Sequence, residues 1–258
     1  MGKFVYLGLL CAFFATFTSD VLSASCRSTG YHSQVKVKQV LDADLIELAS
    51  GQQVRLIGIQ APLRNRATDE LALKLSAQSS KLLKDILAEQ PSISLVLDKE
   101  LLDSDDHMLA HVFLADGQNI QQLLLEQGAV QLDIQAPNTM FWGCYFQAQK
   151  LAIQQQSGVW AHAEFQAKPA QQARFSSDVK QNWLGKVIRV FEQQQSTWLV
   201  LNDWLYIQVP DSVKRRYFTE MTFSELIGKQ IIVNSSVSYK NNRWQGQVVN
   251  PWELINQF

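Results

Sequence analysis

Metal-binding spacings are what this sequence lacks first. Of its 258 residues three are cysteine and four histidine. None forms a C-x-x-C pair or a Cys/His cluster, which argues against a structural zinc site. Charge is also sparse: 18% of residues are charged against 47% hydrophobic, the balance of a globular chain rather than a disordered one. Past the first two dozen residues no apolar run is long enough to span a membrane, so the mature chain is expected to hold no stable span. There is no strict internal repeat, although "GKVIRV" and "GKQIIV" open two strands alike.

What is present begins at the N-terminus. Lys3, the uncharged run "FVYLGLLCAFFATF" and the small residues of "SDVLSAS" have the layout of a signal peptide over residues 1–24, cleaved near Ala24 or Ser25. An uncleaved anchor and a lipid on Cys26 are the alternatives. Export to the periplasm or beyond would leave Cys26 and Cys144. An even pair in an oxidising compartment favours a disulfide tying the mature N-terminus to a later helix, with two buried free thiols as the other reading.

The patterns divide the remainder in two. In residues 25–162, "QVKVKQVL", Leu45–Leu48 and "QQVRLIGIQ" read as three strands joined by turns. A helix follows from an N-cap at Thr68, with Asp69 and Glu70 behind it, through Leu87 to Pro91. "SISLVLD" and "LAHVFLADG" are two further strands. A short helix runs from Asn119 to Gly128, and a longer one is expected to open at Pro137 and end at Gly158. Five strands with three helices predict an oligonucleotide-binding (OB) type barrel, an α+β to mostly β class. Residues 163–178, rich in Ala, Gln and Ser, read as a linker. Residues 179–258 hold five more strand patterns, interrupted by a helix near 211–227, and predict a second small OB-like β-barrel. Charge is unequal: residues 25–166 carry 11 basic and 16 acidic side chains, and residues 167–258 carry 11 and 7, giving −5 and +4. A first domain of negative charge is poorly suited to gripping a polyanion.

The order "LDADLIEL", "GQQVRLIGIQAPL", "DKELLDSDDHMLAHVFLADGQNIQQLLLEQGAV" and "SGVW" resembles the thermonuclease (staphylococcal-nuclease-like) family, especially its exported bacterial members. The resemblance covers Val35 to Trp160, and the segment after the linker resembles a β companion of some exported members. It implies calcium-dependent cleavage of DNA or RNA, using acidic metal ligands, a carboxylate base and two arginines. On the matching positions, Asp44 falls on a metal-binding aspartate, with Asp42 behind it at the start of the same turn. Arg55 falls on the first phosphate-contacting arginine. Gln60 stands where the resemblance implies a second metal aspartate, and Ala61 where a backbone carbonyl could ligate. Leu63 stands where it implies the glutamate base, and His107 where it implies the second arginine.

Calcium takes 6–8 oxygen ligands and draws most of its affinity from charged ones, so one retained carboxylate predicts a weak site or none. Loss of a general base removes roughly 10²–10⁴-fold in rate. The resemblance therefore implies an exported, catalytically degenerate chain acting as a binding or scaffold module, with no cofactor expected beyond Ca²⁺ if family activity is retained. Single-stranded nucleic acid and an envelope protein are the candidate partners. The alternative is a working divalent-metal phosphodiesterase with rearranged residues, drawing on Asp103, Asp105 and Asp106 beside His107. Arg64 and Arg66 could meet phosphate from the loop. Asp44 and Arg55 also have a plain structural reading, as a turn carboxylate paired with a strand arginine. In the second domain five tryptophans (Trp183, Trp198, Trp204, Trp244 and Trp252) lie among basic segments such as "KNNRW". They would serve as stacking platforms if exposed and as core if not.

Overall fold

The computed structural model describes residues 26–62, 70–174 and 177–256, the last of these with backbone only at 177–179 and 256. The signal-peptide reading of residues 1–24, Leu63, Arg64, Arg66 and the Thr68 cap with Asp69 lie outside the described residues.

The first unit runs β1 (Ser33–Asp42), β2 (Leu45–Leu48), β3 (Gln53–Leu56), β4 (Gly58–Gln60), α1 (Glu70–Glu89), β5 (Ser92–Val96), β6 (Met108–Phe113), α2 (Ile120–Glu126), β7 (Gln131–Asp133) and α3 (Trp142–Gln155). Strands β1, β2, β3, β6 and β5 close a barrel in that order, with β3 and β6 parallel. Alternation decides which way each strand faces. Val54 and Leu56 are buried inside, so Arg55 between them points outward. Leu83 and Leu87 of α1 pack on the same core as Ile93, Leu95 and Val112.

Two sequence expectations need correction. "QQVRLIGIQ" is two strands rather than one. Gly58 takes φ +86°, a turn that residues with side chains resist, and a Cβ there would lie 2.9 Å from the Tyr145 ring. Beyond it β4 leaves the barrel and pairs with β7, setting Gln60 opposite Gln131. Pro137 does not open α3 either: it follows a cis peptide bond in the preceding turn, and the helix starts at Trp142. The short helix α2 is as read, with the Asn119 side chain accepting from the Gln122 amide at 2.8 Å.

The second unit runs β8 (Lys168–Pro169), β9 (Ser177–Glu192), β10 (Ser196–Leu201), β11 (Leu205–Pro210), α4 (Asp211–Tyr217), β12 (Gln230–Lys240), β13 (Arg243–Gln247) and β14 (Leu254–Asn256). The order β9-β10-β11-β13-β12, closed by β12 on β9, is again a five-stranded barrel. Its third and fifth strands, β11 and β13, are parallel like β3 and β6. A helix stands between third and fourth strands in both units, so the two barrels are wound identically. The segment expected to be a loose connection contributes β8, which pairs with β9, and Ala170 and Ala173, both buried in the second core. Between the units Trp142 of α3 meets Trp252, with ring centroids 5.7 Å apart. Cys26 and Cys144 are disulfide-bonded, fixing the chain ahead of β1 to α3. No helix among the described residues is long and apolar enough to cross a membrane.

Candidate functional site

The turn between β1 and β2 delivers Asp44, β3 delivers Arg55, and the turn before β6 delivers Asp103 and His107. These four meet on the outside of the first barrel. Arg55 donates from Nη1 to Asp44 Oδ1 at 2.9 Å and from Nε to Asp103 Oδ2 at 3.2 Å. Asp44, 1% exposed, also accepts the Ala61 amide on Oδ2 at 3.2 Å. Asp103 Oδ1 accepts the amides of Asp105 and His107, each at 2.9 Å, while its Oδ2 lies 2.9 Å from His107 Nδ1. If that nitrogen donates to Asp103 it cannot also accept, so Arg55 Nη2, 3.4 Å away, is then a neighbour rather than a donor.

Asp103 therefore receives four hydrogen-bond contacts. Burial raises its pKa, but the His107 side chain, the two amides and Arg55 outweigh burial and hold the carboxyl down to about 2. Asp42 faces elsewhere: its Oδ1 accepts from Ser76 and Ser80 of α1 at 3.1 and 3.3 Å, joining helix to barrel. Gln60, although it precedes Ala61, is not among the partners of Arg55. It lines a separate polar cleft of about 300 Å³ between the two barrels, with Gln131, Lys168, Gln181 and Asn234.

A second cleft, about 270 Å³, opens over Arg55 and is walled by Glu100, Asp103, Asp133 and Asn138. Three carboxylates thus face one guanidinium that already pairs with Asp103 and Asp44. A phosphodiester entering would meet net negative charge. Calcium at the position implied for Asp44 does not fit these side chains either, because that carboxylate is bound to Arg55 and to the Ala61 amide. The carboxylates of Asp103 and Asp105 and the His107 ring place one ligand atom each within 4.8 Å of one another, a group that could hold a cation.

One titrating cluster was not legible in the sequence. His111, buried between β6 and α3, sits with Nδ1 2.9 Å from the Tyr145 hydroxyl, which accepts from Asn119 Nδ2 at 3.0 Å. Its Nε2 is 3.6 Å from Asp98 Oδ2. Burial lowers the His111 pKa from 6.5 to about 4, against the pull of Asp98. A histidine neutral when folded and protonated when unfolded subtracts stability as pH falls from about 6.5 to about 4. Asp103, with its pKa depressed from 3.8 to about 2, stabilises above 3.8, and that contribution is lost between 3.8 and about 2. Acid titration of stability should thus fall in two limbs, the first worth roughly 2–3 kcal/mol and the second, partly solvent-screened, roughly 1–2 kcal/mol. Urea melts at successive pH values test this. His111→Gln should flatten the upper limb only, and an upper limb unchanged in that variant would refute the assignment.

Residues 53–162 match the family model described as "Staphylococcal nuclease homologue". No curated protein matches the chain. The match runs from β3 past the end of α3, through the strands and turns that carry Arg55, Asp103 and His107, while β1, β2 and Asp44 lie ahead of it. Within the first unit, residues 53–162 form a staphylococcal nuclease-like domain.

Proposed function

We propose that the chain is an exported nuclease homologue that no longer cleaves phosphodiesters and serves as a binding module. The observation that carries this reading is the engagement of Arg55. Its guanidinium pairs with both Asp44 and Asp103, so the arginine that would contact phosphate and the carboxylate that would contact metal neutralise each other. Gln60 lining a different cleft and the acidic wall around Arg55 support the same conclusion. The disulfide fits an oxidising compartment outside the cytoplasm.

The second reading, a divalent-metal phosphodiesterase, draws on the Asp103, Asp105 and His107 group. Cleavage of labelled single-stranded DNA and RNA with calcium, with manganese and with chelator separates the two. The binding reading expects no metal-dependent cleavage. It also expects no rise in melting temperature at about 10 mM calcium, above the Kd of even weak extracellular calcium modules (~10⁻⁴–10⁻³ M). A bound ion at 100 times its Kd would add about 2.7 kcal/mol. Metal-dependent cleavage that is lost in Asp105→Asn would overturn the reading.

A further inference from the structure

The outer wall of the second barrel carries a cluster that stability alone does not explain. Arg189 and Phe191 project from β9, Trp198 from β10, Tyr206 from β11 and Arg243 from β13. On each strand these residues alternate with core-facing positions such as Val190, Leu199, Ile207 and Gly246, so all five share the outward face. The Arg243 guanidinium lies between two rings, 4.5 Å from the Trp198 centroid and 4.6 Å from that of Tyr206. Arg189 lies 5.3 Å from the Phe191 ring and 6.0 Å from the Tyr206 ring, and donates to the Tyr206 hydroxyl at 3.2 Å. Phe191 and Trp198 stack in register, 6.3 Å apart and 8° from parallel, which closes the cluster.

Two cations thus share one tyrosine ring, and among the described residues neither has a carboxylate within ion-pair distance. The nearby acid Glu192 is bound to Lys214 and Thr197. The Arg243 Nε–H is buried and has no acceptor. A wall built only for packing would place an apolar side chain between Trp198 and Tyr206, or give the guanidinium an acid. Across the β12–β13 hairpin Lys240 pairs directly with Arg243 and stands exposed on the same face, while Phe191 at the cluster's edge is half-buried.

We propose that this wall binds single-stranded nucleic acid, with Arg189 and Arg243 meeting phosphates and the Phe191 ring meeting a base. The inference rests on the binding-module reading above and gives it a ligand class and a place. Charge complementarity selects a polyanion: the chain from residue 167 onward is net +4, and the first unit is net negative. Rings alongside the cations select bases over an acidic polypeptide, because every base has a face to stack. A single strand exposes those faces and a duplex does not. The guanidiniums are held flat by their rings before any ligand arrives, so little side-chain freedom is lost on binding.

The test is fluorescence anisotropy of the full mature chain with a labelled oligothymidylate of about 15 nucleotides, near the upper footprint of one such barrel. Binding should weaken with salt, and a duplex of equal length and poly-glutamate should compete poorly. Arg189→Gln with Arg243→Gln should weaken binding at least tenfold and lower the salt slope by about 1.4, since each phosphate contact on a single strand contributes about 0.7. Arg189→Gln alone alters an exposed side chain and leaves the fold in place; it should lower the slope by about 0.7. Phe191→Ala should weaken binding with no change of slope. Binding by wild type that survives the double substitution would overturn this wall while leaving the binding-module reading in place. Equal competition by poly-glutamate would overturn the ligand class, and absence of any binding at low salt would overturn the inference outright.

Discussion

Replacing both Cys26 and Cys144 with serine is expected to lower the melting temperature of the first barrel by roughly 10–15 °C. The bridge closes a loop of sequence separation 118, which holds all five strands of that barrel. Closing a loop of about 100 residues restrains the unfolded chain by up to about 4.7 kcal/mol in the chain-entropy account. For a unit of this size each kcal/mol moves the midpoint by a few degrees. The folded side adds to the effect, because Cys26 is buried and its amide donates to the Gln122 side chain at 2.9 Å. Without the bridge the segment ahead of β1 loses its main attachment. Calorimetry of the double serine variant should show the first-barrel transition displaced and the second-barrel transition nearly fixed. A displacement under about 3 °C would mean that the unbridged chain stays tethered by packing alone.

Arg55→Ala is expected to cost roughly 3–5 kcal/mol, a large share of the stability of a domain this size. The substitution leaves Asp44 charged and 1% exposed, keeping the Ala61 amide but losing its guanidinium, and removes one partner of Asp103. The loss comes from a buried carboxylate deprived of its guanidinium more than from the worth of the pair. Asp44→Asn added to Arg55→Ala should therefore recover more than half of it, which urea denaturation of the four corners of a double-mutant cycle would measure. If Arg55→Ala alone costs under about 1 kcal/mol, the arginine is not a structural clamp, and the argument that it is unavailable to phosphate fails.

Strand alternation was plain in "QVKVKQVL" and "TWLVLN", because a half-buried strand writes its two faces into every second residue. Both barrels could be anticipated on that ground. The pairing of Asp44 with Arg55 was also open to anticipation, being a turn carboxylate and an outward residue on the adjoining strand. The division of β3 from β4 was harder to see. A glycine in a strand pattern signals either a bulge or an exit, and only the Tyr145 ring packed against Gly58 distinguishes them. The second carboxylate on Arg55 comes from 48 residues away and shares no local pattern with it. The Arg189–Tyr206–Arg243 cluster was hidden for the same reason. Its members alternate correctly on four strands, but which strands adjoin depends on the parallel pairing of β11 with β13. Tryptophan count misled in part: Trp183, Trp198 and Trp252 are buried, and only Trp204 among the five is substantially exposed.

The shared winding of the two barrels has a kinetic consequence. In each, the third and fifth strands can pair only after an intervening helix and fourth strand have been laid down, so closure joins segments far apart along the chain. Such non-local pairing folds slowly, since loop-closure entropy is lost before any contact repays it. During that interval β3 and β11 present unpaired edges, and those edges can pair with a neighbouring molecule instead. Two such closures in one chain make the time between synthesis and barrel closure the period of greatest exposure to misassembly.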